Sequence, residues 1–300
     1  MFRGSMVAIV TPFSAEGGSA HGGNGEKIDE AALRKLVDFQ IENNTSAIVP
    51  CGTTGESATL SIQEHEHVID VVISQAAGRV KVIAGTGSNN TKEAVTLTSH
   101  AKEAGADGSL IITPYYNKPT QEGIYRHFKV LSDEVDIPVI VYNIASRTGV
   151  NIVPETMARI SKLKNVVGVK EASGNLAQMS EVRHLCGEDF NLISGDDALT
   201  LPLLAIGGCG IISVVANIIP KDVSDLVEAC LNNDPEKARS LHYKMLPLIK
   251  SMFIETNPMP VKTAMGMMNM IEPALRLPMC EIQKENIPIL KSALKEYGLI

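Results

Sequence analysis

The chain has no apolar run near the ~20 residues that a membrane-spanning helix requires. Behind Met1-Phe2-Arg3-Gly4-Ser5-Met6 there is no long apolar segment of the kind a secretory signal carries. Positive charge is not in surplus: 27 basic side chains face 34 acidic ones, a net charge of −7, so no basic stripe for nucleic acid is expected. The five cysteines, Cys51, Cys186, Cys209, Cys230 and Cys280, are scattered without C-x-x-C spacing, which gives neither a disulfide framework nor a zinc site. No strand-like run opens into the G-x-G-x-x-G turn of a dinucleotide-binding fold; Gly85-Thr86-Gly87 comes nearest and lacks the third glycine. Together these absences lead us to expect a protein of the reducing cytoplasm with no cofactor, no metal, and neither nucleic acid nor a membrane as partner. A small anionic substrate stays compatible, because one pocket can be positive on an acidic protein.

With 44% hydrophobic and 20% charged residues the composition is that of an ordinary globular protein. Short apolar runs, rich in Val and Ile, alternate with longer amphipathic stretches. The runs are Met6–Phe13, Ser46–Gly52, Lys81–Gly87, Gly108–Tyr116, Pro138–Asn143, Val166–Ala172, Asn191–Asp197 and Cys209–Asn217. Continuous apolar runs of this length suit parallel strands covered on both faces. Between them, Asp29–Asn43, Ser61–Ala77, Thr91–Ala104 and Thr120–Val135 read as helices. Asp29 is placed to cap the first, and Ser61 with Glu64 three residues on forms a capping-box pattern. Eight strand–helix repeats predict a (β/α)₈ barrel, which typically needs about 250 residues. The expected organisation is a barrel over residues 1–220 that carries the active site, and a C-terminal helical appendage over 221–300 packed on it. Within that appendage Val223–Leu231, Pro235–Phe253, Val261–Met270 and Ile282–Tyr297 look helical. The cluster Met259, Met265, Met267, Met268 and Met270 reads as adaptable packing, and glycine-rich Gly17–Lys27 as a mobile loop after the first strand.

In such barrels the chemistry gathers at the C-terminal ends of the strands. Those ends carry Cys51-Gly52-Thr53-Thr54-Gly55-Glu56-Ser57, Thr113-Pro114-Tyr115-Tyr116-Asn117, Tyr142-Asn143, Ser146-Arg147-Thr148-Gly149, Lys170-Glu171-Ala172-Ser173-Gly174 and Ser194-Gly195-Asp196-Asp197. Lys170 is the sharpest signal, because it follows Val166-Val167-Gly168-Val169 in a buried-strand pattern. A free lysine, pKa ~10.4, is a neutral amine in only about one molecule in a few thousand at pH 7. Burial can lower that pKa by several units, and a neutral amine attacks a ketone to form an imine. The plainer alternative is a lysine that snorkels to water or pairs with Glu171. Imine and enamine steps need protons moved at neutral pH, which Tyr142, Thr53 and Tyr116 could relay. The Gly52–Gly55 turn could present backbone N–H groups and threonine hydroxyls to a carboxylate. Arg147 could bind another carboxylate with two parallel bonds, or could be a solvated surface residue.

In this order, and over nearly the whole chain, these motifs resemble the dihydrodipicolinate synthase family within the N-acetylneuraminate lyase superfamily. The resemblance implies that Lys170 forms a Schiff base with pyruvate, with Tyr142, Thr53 and Tyr116 as the proton relay and Tyr116 reaching into a neighbouring subunit's site. It implies that Thr54 helps hold the pyruvate carboxylate, that Gly195 and the backbone of Ile212 line the site, and that Arg147 receives the carboxylate of aspartate 4-semialdehyde. A homotetramer working in diaminopimelate and lysine biosynthesis would follow. Two departures stand out: Ile144-Ala145 replace a small apolar residue followed by proline, and the Gly17–Lys27 loop is longer than usual. Lysine-inhibited members use a cleft matched here by Ala58, His65, Asn89, Glu93 and Tyr115, whereas Ile62 stands where inhibited bacterial forms often place a histidine.

Three other readings stay open. A sister aldolase cleaving a sugar acid would keep Lys170 and Tyr142, but Arg147 and the Thr53-Thr54 pair suit a short dianionic intermediate better than a sugar tail. A metal-dependent aldolase would need histidines at strand ends, and His21, His65, His67, His100, His127, His184 and His242 fall in loops or helix-like segments. A non-catalytic barrel would not need an amine, two tyrosines and a threonine at neighbouring strand ends.

Overall fold

Each short apolar run folds into a strand, and the strands close into a cylinder. The structure, a computed structural model, describes residues 2–14 and 27–300. The barrel strands are β1 (Gly4–Ala8), β4 (Ala47–Val49), β5 (Lys81–Gly85), β6 (Gly108–Ile112), β7 (Val139–Asn143), β8 (Val166–Glu171), β9 (Asn191–Ser194) and β10 (Gly210–Ser213). All pair in parallel in the closed order β1-β10-β9-β8-β7-β6-β5-β4. Two further strands, β2 (Phe13–Ser14) and β3 (Lys27–Ile28), form a small antiparallel pair. Apart from Lys27, the Gly17–Lys27 segment lies outside the described residues.

Side chains alternate across each strand, so every barrel strand contributes to two cores. Met6, Ala8, Ala47, Val49, Ile83, Leu110, Ile140, Tyr142, Ile193 and Ile212 fill the interior of the cylinder. Their neighbours, such as Val7, Ile48, Val141 and Val169, face outward against the helices. Those helices are α1 (Glu30–Glu42), α2 (Ile62–Ala76), α3 (Thr91–Glu103), α4 (Gln121–Glu134), α5 (Ala145–Thr148), α6 (Pro154–Ile160), α7 (Leu176–Cys186) and α8 (Thr200–Ala205). The caps read from the sequence form as expected. Asp29 accepts from the Ala32 amide at 2.9 Å, and Ser61 and Glu64 exchange both bonds of a capping box.

Four helices follow β10: α9 (Pro220–Leu231), α10 (Pro235–Met252), α11 (Met259–Met267) and α12 (Ile287–Tyr297). The first of these packs against β1, β10 and α8, and α10 and α12 pack on one another. Three helix starts differ from expectation, those of α9, α11 and α12, and proline stands at each: Pro220, Pro260 and Pro288 lie in the first turn, where a missing N–H is harmless. Met265 is fully buried, and Met259, Met267, Met268 and Met270 pack against the same core. The segment between α11 and α12 is fixed to the residues that follow β4. Arg276 grips the Glu64 carboxylate through two nitrogens at 2.9 and 2.6 Å, and its backbone N–H donates to Glu56 at 3.1 Å.

Candidate active site

β7 and β8 run side by side in a register that sets Tyr142 directly opposite Lys170. With a period of two, both side chains point into the barrel while Asn143 and Glu171 point out. The Lys170 amine lies 4.2 Å from the centroid of the Tyr142 ring, and the two residues are 5% and 6% exposed. Burial lowers the lysine's pKa from 10.5 to about 7; the Asp197 carboxylate opposes the shift and Arg147 assists it. Near neutral pH the free amine is therefore far more available here than on an exposed lysine. Pairing with Glu171 is ruled out by the alternation. That carboxylate sits on the opposite face, accepting from Asn143 at 3.1 Å and from the Ser173 amide at 2.7 Å.

Gly195 follows β9 and makes room for the lysine. A Cβ there would lie 2.8 Å from the Ala172 Cβ and 3.1 Å from both Cγ and Cε of Lys170. Asp197, two residues on, is wholly buried: it accepts from the Ser213 hydroxyl at 2.5 Å and from the Val214 amide at 3.0 Å. Burial pushes its pKa up to about 6, with those two donors acting against the shift. Ile212 lies on the inner face of β10, in the same interior cluster as Tyr142.

Burial also pushes the Tyr142 phenol up to about 12, while Arg147 and a hydrogen bond with Thr53 pull the other way. The phenol therefore rests protonated, ready to donate. Thr53, Tyr142 and Arg147 line one cavity of about 400 Å³. Thr54 is buried behind Thr53, where its hydroxyl accepts from the Asn257 side-chain amide at 3.0 Å. Arg147 is carried on α5 and donates to the Asn257 carbonyl at 3.0 Å. Asn257 thus ties the threonine turn to the arginine. Sequence reasoning missed it, and quoted Asp197 in a strand-end motif without giving it a role; the local sign for Asn257 is Pro258 and Pro260 after it, which mark a break between helices.

Tyr116 is not brought to this cavity within one chain. It stands at φ +71 on the loop after β6 and is 89% exposed. Four of the five residues matched to a lysine cleft, Ala58, His65, Glu93 and Tyr115, line the same cavity as Tyr142, as does Ile62. The fifth, Asn89, donates to the Tyr115 carbonyl at 3.2 Å. Burial lowers the His65 pKa to about 4, so its ring is neutral at physiological pH. Among the described residues no helix is long and apolar enough to cross a membrane.

Comparison with known proteins agrees with this geometry. Residues 1–297 match the Dihydrodipicolinate synthetase family. The chain is 56% identical over 300 residues to the 4-hydroxy-tetrahydrodipicolinate synthase of Syntrophus aciditrophicus (strain SB), with 100% of both chains covered. It is 55% identical, again over 100% of both chains, to the enzyme of the same name from Citrifermentans bemidjiense. Among solved structures, the dihydrodipicolinate synthase of Aquifex aeolicus superposes with a TM-score of 0.95 at 51% identity over 99% of each chain. Given a match that spans the chain and a barrel that superposes on the solved fold, this protein belongs to the dihydrodipicolinate synthetase family.

Proposed function

We propose that the chain is a 4-hydroxy-tetrahydrodipicolinate synthase, a class I aldolase-type lyase. It joins pyruvate to L-aspartate 4-semialdehyde through a Schiff base on Lys170, on the route to diaminopimelate and lysine. The observation that carries the reading is the buried amine beside the Tyr142 ring, which has no carboxylate partner among the described residues. The Lys170 lone pair adds to C2 of pyruvate, and the resulting hydroxyl leaves as water once protonated, giving the imine. Loss of a C3 proton gives an enamine, whose C3 attacks the aldehyde carbon of the second substrate while the aldehyde oxygen takes a proton. The amine of the second substrate then adds to C2, closes the ring and releases Lys170.

Tyr142 delivers and recovers the proton nearest the imine, with Thr53 next along the relay. Thr54 helps hold the pyruvate carboxylate, Gly195 and the backbone of Ile212 line the site, and Arg147 clamps the carboxylate of the second substrate. Tyr116 completes the relay in a neighbouring subunit of a homotetramer, a dimer of dimers; its exposure in the single chain supports this assignment. In this reading residues 1–220 supply the reactive groups, and 221–300 pack on them and contribute Asn257. The enzyme works in the cytoplasm without metal or cofactor, and Ala58, His65, Asn89, Glu93 and Tyr115 are the residues a regulatory lysine would use, with Ile62 counting against inhibition.

The test is borohydride reduction in the presence of pyruvate, followed by peptide mapping, alongside an assay of the condensation. Labelling of Lys170 together with condensation is expected. Cleavage of a sugar acid without condensation would reassign the enzyme to a sister aldolase, and no label at all would remove the Schiff-base mechanism.

A further inference from the structure

The segment that carries Arg147 has Ile144-Ala145 where a proline would stiffen it, and its helix α5 is only four residues long. Its rigidity comes from behind the barrel wall. Asn143, the residue after Tyr142, clips both ends of the segment together. Its side-chain amide nitrogen donates to the Asn151 side chain at 2.9 Å, and its side-chain oxygen Oδ1 accepts from the Ile152 amide at 3.0 Å. The same Asn143 amide donates to Glu171, the residue after Lys170, at 3.1 Å. Asn151 exchanges two bonds with Gln178 of α7, at 2.7 and 3.2 Å. Gln121 of α4 adds bonds of 2.7 Å to the Asn151 carbonyl and 3.2 Å from the Val153 amide. Each of the two inward-facing reactive residues therefore has a member of one hydrogen-bonded clamp as its chain neighbour.

We infer that Asn143, Glu171, Asn151 and Gln178 are positioning residues that set the Arg147 guanidinium for the carboxylate of the second substrate, without touching either substrate. The inference rests on the function proposed above. Glu171 is wholly buried, and a buried carboxylate carries a desolvation cost that apolar packing would avoid. What it supplies instead is direction. It fixes which face of Asn143 meets the loop, and hence where the four-residue helix points its arginine.

Glu171→Gln keeps the volume but turns an amide toward the Ser173 and Asn143 donors, and Gln178→Ala removes the outer brace. Borohydride labelling of Lys170 by pyruvate should persist in both variants. The pyruvate KM should stay within about twofold while the KM for aspartate semialdehyde rises about tenfold, equivalent to ~1.4 kcal/mol of binding. Both KM values rising together, or a fall in thermal stability with neither KM changed, would overturn the inference. If Glu171→Gln does not fold, Gln178→Ala carries the same comparison. Failure of pyruvate to label the unmodified enzyme would instead remove the proposed function, and this inference with it.

Discussion

Replacing Lys170 with methionine removes the reactive amine and, with it, the energetic cost of holding that amine out of water. Burial outweighs the attraction of Asp197 and brings the lysine from 10.5 down to about 7. Methionine is of similar length, flexible and uncharged, so the exchange isolates the ionisation. The unfolded chain keeps this proton up to pH 10.5 and the folded chain only to about 7. Between those values the unfolded state binds more protons, and stability rises with pH. At ~1.4 kcal/mol per tenfold, the lysine opposes folding by about 4 kcal/mol at pH 7 and by about 2 kcal/mol at pH 9. The contact with the Tyr142 ring favours the ammonium by ~1 kcal/mol and trims only the pH 7 figure, since at pH 9 the folded lysine is already neutral. Lys170→Met is therefore expected to be the more stable protein at pH 7, with an advantage that shrinks by about 1 kcal/mol at pH 9. Urea unfolding of both proteins at one fixed concentration measures this, since association also shifts apparent stability. A difference that is the same at both pH values, or a variant less stable at pH 7, would refute the claim that the amine is held uncharged.

Three more outcomes follow from the same geometry. Gly195→Ala places a methyl 2.8 Å from Ala172 and 3.1 Å from the lysine stem. Overpacking of this kind costs ~1–3 kcal/mol, so the chain should fold while the rate of borohydride labelling drops; an unchanged rate would show that the amine approaches from another side. Tyr142→Phe keeps the ring and loses the hydroxyl, and its condensation kcat should fall ~10²–10⁴-fold with the pyruvate label retained. A near-normal kcat would pass the proton to another group. Arg147→Lys keeps the charge and loses the planar fork, so the KM for aspartate semialdehyde should rise while that for pyruvate holds; a matching rise in both would place Arg147 on the first carboxylate.

The legible parts of this fold were those encoded locally. Strands written as unbroken Val and Ile runs, and caps such as Ser61–Glu64, need only neighbours in sequence. Helices α5 to α8 were implied by the eight-fold repeat but not delimited, for reasons plain in α5 and α7. α5 has four residues, and α7 buries only Met179 and Val182 along its length, too little to draw an apolar stripe. The site divided along the same line. Lys170 stood out because it follows Val166-Val167-Gly168-Val169 in a buried-strand pattern, and Tyr142 because it stands at the end of the apolar run before it. Asn257 meets Thr54 across 203 residues, and its bond to Arg147 spans 110, so no window of sequence contains the contact. Tyr116 was read into the relay as a strand-end hydroxyl, with its reach into a neighbouring subunit taken from the family resemblance, and nothing among the described residues of one chain brings it there.

The harder lesson comes from a second lysine. Lys262 follows Pro260-Val261 and precedes Thr263-Ala264-Met265, a context as apolar as that of Lys170. It is fully buried and lies 4.1 Å from the centroid of Phe13, as Lys170 lies over Tyr142. By composition the two are indistinguishable. Their difference is in what faces the nitrogen: Lys262 has the Glu56 carboxylate at 2.5 Å and the Ala274 carbonyl at 2.8 Å. Burial lowers its pKa only to about 8, because Glu56 holds the proton in place. The result is a charged strut between α11 and the turn that carries Thr53. Lys170 has no such partner among the described residues; Asp197 attracts it at a distance while spending its own oxygens on Ser213 and Val214. A buried lysine thus becomes a nucleophile when the fold withholds a partner, and a strut when it supplies one. That choice is made by carboxylates far away in sequence, which is why chemistry here can be read only once the chain is closed.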